Sequence, residues 1–171
     1  MDPRLSALFL QQQAAGFADI AGARAEATVP VSDRLLNLLI AEALPPGGAV
    51  REVQVQTHAD NRLTARVRVG RSTLLPALTL RLSIAQQPEL PASPVLVLRM
   101  ASGGLMSFAG SALGFLDRVP RGIRLEGDRI LVDIRDLLAQ RGLSDLLQFA
   151  EALHVTTGDG ALILGVRLRI R

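Results

Sequence analysis

Any catalysis or metal binding by this chain would have to start from His58 and His154, its two imidazoles, from 16 carboxylates, or from 19 basic residues that are all arginine. With no Cys there is no thiol nucleophile, thiolate metal site or disulfide. With no Lys there is no Schiff base, P-loop lysine or S-x-x-K base. His58 stands beside the turn-forming Asp60, and His154 opens the last hairpin. Neither is accompanied by other His, Asp or Glu residues at ligand spacing, so both read as structural or solvent-facing and no metal site is expected. Asp133 and Asp136, three apart, have the residue types of an acid–base pair. The plainer reading puts Asp133 on a polar strand face and Asp136 near a helix start, where negative charge is favoured. In Gly110-Ser111-Ala112-Leu113-Gly114 the serine follows glycine directly and no strand leads in, so it is not a nucleophile elbow. Gly158-Asp159-Gly160 lacks the helix that follows a phosphate-binding loop. No catalytic constellation assembles and no cofactor is called for, so the chain reads as non-enzymatic.

The net charge of +3 is modest. Nucleic-acid binding usually shows a dense basic patch interleaved with stacking aromatics, and here Trp and Tyr are absent, so nucleic acid is disfavoured as a partner. The basic candidates lie on strands, at Arg66, Arg68, Arg81, Arg167, Arg169 and Arg171. Such a set attracts anionic lipid head groups or acidic partners, but alternation alone also puts polar residues on the wet face of a sheet.

The elements that carry these residues follow from hydrophobic period. A helix is expected over Asp2 to about Phe17, with Pro3 in its first turn, Leu5, Leu8, Phe9 and Gln12 at helical spacing and Gly16 near its end. Residues 1–22 thus form a helical extension and 23–171 a single domain. Ala23 to Val31 alternates as a half-buried strand. Ser32 supplies an N-cap for a helix from Asp33 to Leu44, ended by Pro45, Pro46, Gly47 and Gly48. Its Leu35, Leu36, Leu38, Leu39, Ile40, Ala43 and Leu44 take up well over half of the circumference, so it is expected to be covered on more than one side.

Strands with Val53, Val55 and Thr57 inward, then Leu63, Ala65, Val67 and Val69, flank a turn at Asp60 and Asn61. Leu78, Leu80, Leu82 and Ile84 repeat the pattern. Pro88 to Pro94 connects to a strand from Val95 to Met100. Gly103 to Leu116 reads as a small-residue helix that approaches a sheet closely. A hairpin of Ile123–Leu125 and Ile130–Ile134 turns at Gly127 and Asp128. Asp136 to Leu153 is expected to be one or two helices, broken near Gly142 and re-capped by Ser144. A last hairpin turns at Gly158 to Gly160 into Leu162, Leu164, Val166, Leu168 and Ile170. Helices between antiparallel hairpins imply α+β.

This order resembles the tubular lipid-binding (TULIP) superfamily, which includes bactericidal permeability-increasing proteins and small bacterial domains. The likeness rests on Val29-Pro30-Val31-Ser32-Asp33-Arg34-Leu35-Leu36-Asn37 as a strand leading into an apolar helix, followed by long hairpins. It rests also on Val119-Pro120-Arg121-Gly122-Ile123 before a short hairpin, and on Gly160 to Ile170 as a long last strand. The resemblance implies a long curved antiparallel sheet wrapped around one or more apolar helices, with an elongated cavity for acyl chains. Carried over by position, Leu36, Leu39, Ile40, Val67, Leu80, Leu82, Leu164 and Leu168 would line it.

Two functions stand open. One is non-enzymatic binding of a lipid or other long apolar molecule in a groove between sheet and helix, whose lining needs few polar groups and so leaves little motif. The other is a structural or adaptor domain with a filled core that forms an oligomer or a partner-protein interface. Met100 to Leu116, the longest uncharged stretch of note, holds four Gly and three Ser and falls short of a membrane span. Leu5 to Leu10 is too short for a secretory apolar region. The chain therefore reads as cytoplasmic, with peripheral membrane association open.

Overall fold

The computed structural model describes Gln11 and residues 21–45, 47, 50–69, 77–101 and 121–170. The elements run β1 (Arg24–Ser32), α1 (Asp33–Ala43), β2 (Val50–His58), β3 (Arg62–Val69), β4 (Leu78–Gln86) and β5 (Val95–Met100). There follow β6 (Ile123–Glu126), β7 (Arg129–Asp133), α2 (Ile134–Gln140), a short 3-10 helix (Ser144–Gln148), β8 (Ala150–Gly158) and β9 (Ala161–Arg169). They form a three-stranded sheet, β1-β9-β8, and a six-stranded sheet, β2-β3-β4-β5-β7-β6, antiparallel throughout. The larger sheet curls into a half-barrel, and the fold is α+β, as the order of helices and hairpins implies. The expected helices over 2–17 and 103–116 lie outside the described residues, apart from Gln11, which is helical.

The period-2 pattern sets the core. Cross-strand register places Thr57 opposite Leu63, Leu63 opposite Leu82, and Leu82 opposite Met100, all on one face. Leu63, Ala65, Leu80, Leu82 and Met100 are buried together, with Val55, Val67, Ile84, Leu98, Leu125 and Ile130 packed around them and Leu162 reaching in from β9. Each fully buried aliphatic side chain of this kind contributes about 1.5–3 kcal/mol relative to exposure. The opposite face carries Arg62, Thr64, Arg66, Arg68, Arg81 and Ser83, as alternation requires.

The two sheets meet at edge strands β2 and β8, whose outward N–H and C=O groups would be orphaned if left unpaired. Side chains stand in for the missing strand. Asn37 on α1 donates from Nδ2 to the Val55 carbonyl at 2.8 Å and accepts from the Val55 N–H at 2.6 Å. One turn earlier, Asp33 accepts from the Thr57 N–H at 3.1 Å and from its hydroxyl at 2.7 Å. Across the seam Gln87 does for β8 what Asn37 does for β2: its Nε2 donates to the Val155 carbonyl and its Oε1 accepts from the Val155 N–H, both at 2.8 Å. The seam is closed further by Thr157, which donates its hydroxyl to the His58 carbonyl and its N–H to Asn61 Oδ1, and by Gly160, which donates to the Thr57 carbonyl. Val155 and Thr57 at its centre are 2% and 1% exposed.

Local signals explain most boundaries. Ser32 caps α1, accepting from the Leu35 N–H at 3.3 Å. Asp133 ends β7 and also caps α2, accepting from the Arg135 and Asp136 N–H groups at 3.0 and 3.3 Å. It thus closes the strand on the side of Arg129 and caps the helix as well. The turn between β2 and β3 holds Asp60 and Asn61 at φ 61° and 58°, a region these two types tolerate. Gly122, at φ +85°, has no such latitude, since a Cβ there would lie 3.0 Å from that of Asp136.

Three sequence expectations need correction. Residues 150–153 are strand and not helix, because Ala150 and Leu153 pair with Leu168 and Val166 and this ladder outweighs their helical spacing from Leu146. Ser144 does not cap the 3-10 helix, whose preceding residue is Leu143 and which has no side-chain cap bond. Most of β1 is exposed and not half-buried, with only Val31 reaching the core, since among the described residues it has a neighbour strand on one side alone. The free edge explains why Pro30, with no N–H to give, is tolerated there.

Replacing Asn37 by Ala leaves both backbone groups of Val55 unpartnered, so it should cost about 1–3 kcal/mol in urea unfolding. Gln54→Ala, on an exposed stretch of β2, should stay within about 0.5 kcal/mol. Equal, small effects would remove the edge-capping role.

Candidate functional site

Asp33, Leu36, Asn37, Ile40 and Leu44 recur every three or four residues and form the inward side of α1. Two of these five positions are polar and committed to β2, which fixes the rotation of the helix about its axis. The opposite side is consequently forced outward. It is centred on Leu38, flanked within about 60° by Arg34, Leu35, Ala41 and Glu42 at 100° per residue. Leu35, Leu38 and Leu39 are 46%, 59% and 40% exposed, and no residue of α1 is fully buried. The expectation that so apolar a helix is covered on more than one side is therefore not met among the described residues; one side is covered.

Val29 on β1 is 44% exposed, and Leu143 and Leu146 beside the 3-10 helix are 44% and 48% exposed. A 3.3 Å ion pair from Arg141 to Glu42 ties the end of α2 to the outward side of α1. At this exposure the ion pair is worth about 1 kcal/mol or less, so it orients the surface more than it stabilises the fold. Several large aliphatic side chains exposed on neighbouring elements are the usual mark of an interaction surface.

The residues proposed to line a cavity divide into groups. Leu80 and Leu82 are buried in the core, with Val67 packed against them. Leu36 and Ile40 are half-buried on the inward side of α1, while Leu39 belongs to the outward ridge. Leu164 and Leu168 are half-buried on β9, opposite Val29 and Ala25, and the β9 residue that joins the core is Leu162. The described residues form open clefts, two of which involve residues named above. One of about 660 Å³ has Leu82 in its wall together with His58, Arg62, Thr64, Arg81, Ser83 and Asp159. The other, about 470 Å³, lies between Ala41 and Leu44 at the end of α1 and Val50 to Val53 on β2.

Sequence reasoning missed Asn37, Asp33 and Gln87. A signal existed for the first two, a polar pair at i and i+4 on the otherwise apolar inward side of a helix. Gln87, in a connection, gave none. The two histidines do not meet: His58 Nε2 lies 2.9 Å from Thr64 Oγ1, and His154 is exposed opposite Gly165. Among the described residues no group of three or more His, Cys, Asp or Glu is placed to hold a metal ion. No helix among them is long and apolar enough to cross a membrane. No family model, curated protein or solved structure matches the chain.

Core and ridge should separate on substitution. Leu82→Ala is expected to cost about 2–5 kcal/mol by chemical denaturation. Leu38→Gln should stay within about 0.5 kcal/mol, and a large loss there would mean that the ridge is packed in the native protein.

Proposed function

We propose that the chain is a non-enzymatic adaptor domain that pairs with a second copy through the outward side of α1. The observation that carries this reading is the fixed rotation of α1, which commits Asp33 and Asn37 to β2 and leaves three leucines exposed among the described residues. Its charge order is self-complementary. If two such helices cross antiparallel with a two-fold axis at Leu38, Arg34 of one copy lies opposite Glu42 of the partner subunit, and leucine meets leucine at the centre. An interface of this kind, the same patch used twice, is the commonest way for a soluble protein to oligomerise.

A lipid or other long apolar ligand held between sheet and helix is the second reading, in which the curled sheet would wrap α1. It is favoured by the half-buried state of Leu36, Ile40, Leu164 and Leu168, apolar residues on facing elements that the protein covers only in part.

Sedimentation equilibrium separates the two. Under the first reading the mass rises with concentration toward twice 18.3 kDa. Leu38→Glu holds it at the monomer and leaves the melting curve unchanged at concentrations where the parent chain is also monomeric, Arg34→Glu weakens the dimer, and adding Glu42→Arg restores it. A monomer at all concentrations that carries co-purified lipid at fixed stoichiometry in native mass spectrometry would replace the first reading by the second.

A further inference from the structure

We infer that the 660 Å³ cleft on the arginine face of the large sheet binds a terminal phosphate group. Its volume lies within the range of small-molecule sites, about 300–1,000 Å³. Three neighbouring strands deliver its polar wall by register alone. His58 sits opposite Arg62 and Arg62 opposite Ser83, while Thr64 sits opposite Arg81 in the next row. Two guanidiniums, an imidazole and two hydroxyls therefore leave one sheet face within two rows, and adjacent strands are only about 4.8 Å apart.

Two acids stand close by, Asp60 at the margin and Asp159 in the wall. Asp60 holds Arg62 at 3.2 Å, which with the Ala59 carbonyl, also at 3.2 Å, anchors that guanidinium to the turn. Asp159 accepts from the Ala59 N–H at 3.0 Å. Arg81 has no acidic partner among the described residues, in contrast to Arg68, Arg99 and Arg129 on the same sheet, which reach Glu52 and Asp128. The cleft thus combines one anchored and one uncommitted guanidinium with the Ser83 hydroxyl and with the Thr64 hydroxyl, which lies 2.9 Å from His58 Nε2. Guanidinium matches phosphate oxygens with two parallel N–H bonds, and hydroxyls can supply the remaining ones. The site is independent of the α1 ridge and stands whether or not the chain dimerises.

The test is a titration of the full chain with inorganic phosphate, followed by amide NMR, alongside co-sedimentation with phosphatidylcholine vesicles containing or lacking phosphatidic acid. Saturable shifts at Thr64, Arg81 and Ser83 are expected, with affinity reduced about tenfold or more in Arg81→Gln and less in Arg81→Lys. Arg66→Gln, on the same face two residues beyond Thr64, should change it little. Saturation by inorganic phosphate identifies a soluble phosphate as sufficient. Arg81-dependent binding to phosphatidic acid vesicles without saturation by free phosphate assigns the same chemistry to a lipid head group. Binding to neither, or an equal loss in Arg66→Gln and Arg81→Gln with unchanged melting curves, overturns the proposal, since the latter marks diffuse attraction to the arginine face.

Discussion

Two side-chain amides occupy places that backbone would otherwise fill, and the architecture is arranged around them. Asn37 and Gln87 each give one donor and one acceptor to a single residue of an edge strand, the pairing a neighbouring strand would make. An edge satisfied in this way has no need of another strand, so β2 and β8 can face each other across a seam without merging into one sheet. The helix that supplies Asn37 loses its freedom to rotate, and the loop that supplies Gln87 is pinned across the gap. Because a buried amide with both groups paired is stable while a half-paired one is costly, the arrangement admits little compromise.

This constraint accounts for how far the sequence could be read. Strands β2 to β5, the β6–β7 hairpin and the β8–β9 hairpin are legible because alternation and turn residues report the same element twice, once through period and once through chemistry. The segment at 150–153 was not, since Ala150 and Leu153 satisfy a helical and a strand pattern equally, and pairing with residues near the end of the chain decides the matter. The extent of cover on α1 was not legible either. Period shows how apolar a helix is, but only Asn37 and Asp33, read as bonding groups, show which side must face the sheet. Of the residues carried over by position, those on alternating strands landed where alternation sends them. Leu39, on the helix, is exposed, a placement that a position carried over from a resemblance does not fix because it carries no rotation angle.

The chemistry that the residue types could have supplied is dispersed in the fold. His58 and His154 lie on different sheets, Asp133 is used as a cap, and Asp159 is used on a turn amide. What the structure concentrates instead is surface of two kinds. Aliphatic side chains gather on α1 and beside the 3-10 helix, and guanidiniums gather on the back of the larger sheet. The second arises from alternation, since a sheet that commits its aliphatic residues to one face has only the other for its arginines, and the first from the rotation that Asp33 and Asn37 impose on α1.

The smaller sheet has a temporal consequence. β1, the first described strand, has β9 as its only partner among the described residues, so Arg24 meets Arg169 and Ser32 meets Ala161 at large sequence separation. During synthesis β1 must wait for the last described strand before it can pair. Until then the nascent polypeptide carries an unmatched strand, an alanine and valine row and the leucines of α1 together. Contacts of such long sequence separation slow folding and lengthen the exposure of sticky intermediates. The larger sheet, built mostly of neighbours in sequence, can form meanwhile and offer its edge to Asn37, so the polar clasp on β2 would hold α1 in place before its strand is secured.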